Sequence, residues 1–152
     1  MGLLMSIPRR AAKFARLRPA DKWLFIRIFA LLVRVRLALT FRPFNRVREF
    51  ARRLGERRAS DITHRPSAHD LTSLVTAAAS YIPRATCLTQ ALVADAILRR
   101  YGYAPDLKIG VGRGDANRFQ AHAWIELDGN VVIGDLPTLD QFTPLPTLSP
   151  HE

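Results

Sequence analysis

The chain has 152 residues, enough for one domain with a working core, and its 48% hydrophobic content excludes a disordered polypeptide. A single cysteine excludes an internal disulfide, and no Cys/His cluster has metal-ligand spacing, so neither a metal nor another cofactor is expected. The net charge of +10 is lopsided: residues 1–58 carry 16 of the 23 Lys/Arg against three acids, whereas residues 59–152 carry 7 against 10. The change of sign divides the chain into a basic helical N-terminal region (1–58), suited to docking or packing, and a core with a Pro-rich tail (59–152).

The opening "MGLLMS" fits a myristoylation pattern, and no secretory signal order is present. "WLFIRIFALLVRVRLALTF" (23–41) is apolar but interrupted by Arg27, Arg34 and Arg36, so it predicts a buried or surface-lying helix and not a spanning one. Pro19 and Asp21 suit its start, and Pro43 requires it to end. Arg27 and Arg34 share a face opposite Arg36, and the rest is apolar almost all round, which predicts a helix sandwiched between others. "FNRVREFARRLG" (44–55) predicts a shorter amphipathic helix stopped by Gly55, followed by a linker over 56–66.

Ser67, with Asp70 three residues on, marks the start of a third helix running to about Tyr81. Thr86 is the N-cap of a fourth, "CLTQALVADAILRRYG", which Gly102 stops. Leu88, Ala91, Leu92 and Leu98 share a side with one charged residue, Asp95. Strands follow: "LKIGVGR" (107–113), "AHAWIEL" (121–127) and "NVVIGD" (130–135), with Asp128-Gly129 as a two-residue hairpin turn. "GVGRG" has the look of a phosphate loop but joins two strands instead of opening a helix. The four-proline tail should be largely extended. Helices followed by an antiparallel sheet define an α+β fold.

Closing the hairpin at Asp128-Gly129 with uninterrupted pairing sets Ile125 against Val132, Trp124 against Ile133, and His122 against Asp135. Directly opposed residues have Cβ atoms ~4.5–5.5 Å apart, so the carboxylate would orient the imidazole. Cys87 sits in the first turn of its helix, where unpaired N–H groups favour a thiolate and offer an oxyanion site. Cys87, His122 and Asp135 are thus candidates for an activated thiol triad. The competing readings are a small buried cysteine and an ordinary cross-strand pair. Trp124, two residues from His122 on the same face, is a candidate for the substrate wall or for plain core.

The stretch "RATCLTQALVADAILRRYGYAPDLKIGVGRGDANRFQAHAWIELDG" (84–129), with Asp135 beyond it, resembles the transglutaminase-like cysteine peptidases of lasso-peptide maturation, in particular the stand-alone B2 leader peptidases. The resemblance rests on "TCL" opening a helix, "LRRYG" closing it, the "KIGVG" strand, and "AHAWIEL" before a turn. It implies a transglutaminase-like, papain-like core that removes the leader from a ribosomally made precursor through Cys87, His122 and Asp135. It further implies a separate leader-recognition (B1) protein and a lasso cyclase as partners, with a cytoplasmic location. Gln90 stands where similar sequences carry a basic residue, which places substrate contact there in question.

Alternatives of other classes are an acyl transferase with the same triad and a non-catalytic docking or nucleic-acid-binding module. The basic region lacks a helix-turn-helix or RNA-binding signature, so no nucleic acid is expected. A membrane surface is a further candidate partner for it.

Overall fold

The computed structural model describes residues 18–57, 65–113 and 118–146, so the "MGLLMS" pattern and most of the expected linker lie outside the described residues. Among the described residues four helices, α1 (Pro19–Phe41), α2 (Phe44–Glu56), α3 (Ala68–Ala79) and α4 (Cys87–Arg100), precede three main strands. These are β1 (Asp106–Arg113), β2 (Phe119–Leu127) and β3 (Asn130–Ile133), with a short β4 (Thr143–Pro144) after a single 3-10 turn at Leu139–Gln141. The strands form one antiparallel sheet in the order β3-β2-β1-β4, confirming the α+β class.

The helix ends follow their local chemistry. Pro19 opens α1, and the backbone breaks into extended conformation at Arg42 before Pro43. Ser67 Oγ accepts from the Asp70 N–H at 3.1 Å, and Thr86 Oγ1 accepts from the Thr89 N–H at 3.3 Å. Each satisfies one of the donors that a helix start leaves unpaired. Gly102, at φ +80°, turns the chain out of α4.

α4 is the centre of the molecule: Thr89 and every residue from Ala91 to Leu98 are buried. Around it pack Ile28, Leu32 and Val35 of α1, Val47 and Ala51 of α2, Leu71 and Val75 of α3, and Ile125 of β2. One core therefore draws on both sides of the change in charge at residue 58. Asp95, the charged exception on α4, is only 6% exposed and accepts from Arg99 Nε at 3.0 and 3.1 Å. Arg99 also donates to the Pro105 carbonyl, so the pair ties α4 to the start of the sheet. Burial pushes the Asp95 carboxyl up from its ordinary value against the opposing pull of Arg99.

Two expectations about the helices are corrected. Gly55 does not stop α2, which continues to Glu56; it is buried where a Cβ would lie 2.8 Å from Arg99 Cβ and 2.9 Å from the Ala96 carbonyl. Its lack of a side chain lets α2 approach α4 closely. α1 is not sandwiched either: it buries one stripe, Leu24, Ile28, Leu32 and Val35, and leaves large apolar residues on its other side exposed.

The hairpin turn is as expected: Asp128 and Gly129 both have positive φ, +50° and +79°, the type I′ signature. The register beyond it is corrected. Leu127 pairs with Asn130 and Glu126 with Val131, but Ile125 then pairs with Ile133, because β3 carries one extra residue at a bulge. The ladder ends at Ile133, so His122 and Asp135 are not a ladder pair.

Candidate active site

Cys87 is the first residue of α4 and a half-buried free thiol. Its position follows from the Thr86 cap and from the turn before it, in which Arg84 takes a left-handed φ of +59°. The first N–H groups of the helix have no intrahelical acceptor and concentrate its positive end beside the sulfur.

His122 lies on β2 opposite Gly110 of β1. Its Nε2 is 2.7 Å from the Gly134 carbonyl oxygen. A carbonyl can only accept, so Nε2 carries the proton, and Nδ1 of the neutral ring is left as a base. Trp124 stacks on the imidazole with ring centroids 6.1 Å apart and planes at 16°, and Phe142 packs on it at 5.5 Å. The Trp124 N–H donates to Glu126 at 2.8 Å, which fixes the indole in turn.

Three glycines make this arrangement fit. A Cβ on Gly110 would come within 2.8 Å of the Trp124 ring, and one on Gly112 within 2.7 Å of the Gln141 carbonyl. Gly134, at φ +83°, turns the chain so that its carbonyl reaches His122; a Cβ there would meet the Ala123 carbonyl at 2.7 Å. Gly134 is the site residue that the sequence reading missed. Its signal was the glycine next to Asp135 at the end of an apolar strand.

Cys87 and His122 line the same cavity, of about 530 Å³. Phe44, Leu88, Leu107, Ile109 and Leu145 make its walls apolar, with Arg48 contributing a cation. The tail forms part of that wall because the Leu145 N–H donates to the Ile109 carbonyl at 2.7 Å, extending the edge of the sheet past β4. Among the described residues no hydrogen bond joins Cys87 to His122. Such contacts are often long in a free enzyme and tighten around substrate.

The remaining candidates lie elsewhere. Asp135 is exposed and makes no hydrogen bond or ion pair with His122; the acceptor on the ring is the carbonyl of the residue before it. Trp124, 3% exposed, is outside the cavity and supports His122 from its own face of the sheet. Gln90 is also outside the cavity lining, and its side-chain amide donates back to the Ala85 carbonyl at 3.4 Å. No group of three or more metal-ligating side chains occurs among the described residues.

An α+β domain with a cysteine at a helix N-terminus, a histidine on a following strand and a shared apolar cleft has the layout of a thiol peptidase or acyl transferase. The family model of the transglutaminase-like superfamily matches residues 31–147, most of the chain, and the protein belongs to that superfamily. Comparison with curated proteins and with solved structures finds no match.

Proposed function

We propose that the protein is a cysteine peptidase that cleaves the leader from a ribosomally made lasso-peptide precursor. The observation that carries the chemistry is the shared cavity: Cys87 at the start of α4 and His122, whose Nε2 is taken by the Gly134 carbonyl, line one apolar cleft. The precursor as substrate is drawn from the resemblance of residues 84–135.

In this reading Nδ1 of His122 takes the proton of Cys87, and the sulfur attacks the carbonyl carbon at the leader–core junction. The helix N–H groups stabilise the oxyanion. His122 then returns its proton to the departing amine of the core peptide, leaving the leader as a thioester on Cys87. Water, deprotonated by His122, hydrolyses that thioester and regenerates the thiol. The Gly134 carbonyl keeps the proton on Nε2. The apolar cavity holds a hydrophobic side chain of the substrate, and a separate recognition protein delivers the leader.

The test is a reconstituted reaction containing precursor, recognition protein and this chain, followed by mass spectrometry. Wild type should release leader and core, and Cys87→Ala should lower the rate by at least about 10³-fold. Undiminished cleavage by Cys87→Ala would overturn the reading. Addition of an alkylamine separates the two chemistries of the superfamily: free leader acid means hydrolysis, and a leader amide means acyl transfer.

A further inference from the structure

α1 has two apolar faces, and among the described residues only one of them is packed against other elements. Leu24, Ile28, Leu32 and Val35 are buried, whereas Trp23, Ile26, Leu37 and Phe41 on the opposite side are 62%, 51%, 54% and 80% exposed. At 100° per residue these four, with Ala30 between them, fall within about 60° of arc and form a straight stripe about 27 Å long. A helix face of this kind, long, convex and ending in aromatic residues, is not a groove for a peptide.

Along one edge of the stripe the charge is of one sign. Arg27 and Arg34 of α1 and Arg100 of α4 line a second cavity, of about 240 Å³, between α1, α2 and α4. No acidic residue lines it, and among the described residues no ion pair neutralises these three guanidiniums. Arg34 is held over the Phe50 ring at 5.6 Å, which fixes its position without cancelling its charge. A second copy of the chain would bring like charges together across this face, whereas an anionic surface would complement them. No described helix is long and apolar enough to cross a membrane.

We infer that α1 lies on an anionic phospholipid surface. Trp23, Ile26, Leu37 and Phe41 enter the boundary between headgroups and acyl chains, while Arg27, Arg34 and Arg100 hold lipid phosphates at the edge. This surface is separate from the cavity of Cys87 and does not depend on the proposed peptidase reaction.

The protein carries its own reporter, because Trp23 is exposed and the other tryptophan, Trp124, is buried. The full chain is titrated with phosphatidylglycerol–phosphatidylcholine vesicles and with phosphatidylcholine vesicles alone, followed by tryptophan emission and sedimentation. The expected result is a blue shift with co-sedimentation on anionic vesicles, at least tenfold weaker on neutral ones and weakened by salt. Arg27→Gln, Arg34→Gln and Arg100→Gln should each lower affinity about fivefold. Ile26→Gln with Leu37→Gln should abolish the shift while circular dichroism stays unchanged. Three results would each overturn the inference: no binding to anionic vesicles, equal binding to neutral ones, or a Trp23 already shielded from acrylamide without lipid. The last would mean that protein covers the stripe.

Discussion

α1 and α4 are built from similar residues and meet opposite fates. Both are rich in Leu, Val and Ala, yet α4 is enclosed by three helices and the sheet, while α1 is covered along a single stripe. The difference lies in what surrounds each helix, because neither sequence has a strongly one-sided apolar pattern. Enclosure holds the start of α4, and with it Cys87, in a fixed relation to β2 and His122. The open side of α1 leaves an apolar, Arg-edged surface to a partner.

Truncations on the two helices are the strongest way to break this comparison. Leu92→Ala on α4 removes a side chain only 1% exposed and should cost about 2–5 kcal/mol by loss of burial and creation of a cavity. Leu37→Ala, half exposed on α1, should change stability by less than about 0.5 kcal/mol. Urea unfolding of both variants measures the contrast; equal losses would mean that the outer face of α1 is packed.

Gly110→Ala sharpens the same point on the sheet. Its Cβ would press on the indole that stacks against His122, so a loss of about 1–3 kcal/mol is expected together with reduced activity. Activity falling further than stability alone explains, measured well below the melting temperature, would show that the indole positions the imidazole. A silent substitution would contradict that role.

Asp95 supplies the smallest effect, read through pH. Burial raises its carboxyl in the folded state, so the native protein holds that proton more tightly than the unfolded chain. The stabilisation linked to that proton is fully present below the unfolded value of about 3.9 and is lost as pH rises through the folded one. Asp95→Asn removes this slope. Melting curves from pH 3.5 to 7 should therefore show the wild type losing stability relative to the variant as pH rises.

What the sequence revealed and what it hid separate by range. Ser67, Thr86, Gly102 and the Asp128-Gly129 turn act on backbone within a few residues, and each was legible and correctly placed. The positions of Cys87 and His122 were legible because a helix start and a strand can be read locally, and the fold brings both to one cavity. The packing roles of Gly55, Gly110 and Gly134 were not legible, since each is required by an atom far away in the chain or across the sheet. The one-residue bulge in β3 was hidden for the same reason, and it moved the partner of His122 from a side-chain carboxylate to the Gly134 carbonyl. A surface-lying helix was among the expectations for α1, but which side it exposes could not be foreseen, because its pattern is apolar on both faces.

In the proposed chemistry Cys87 and His122 act as a unit. Cys87 is the only cysteine, so carbamidomethylation by iodoacetamide reports on it alone. The rate at pH 6 should be at least tenfold higher in the wild type than in His122→Ala, because the imidazole draws the proton from the sulfur. Equal rates in the two proteins would contradict the catalytic pair.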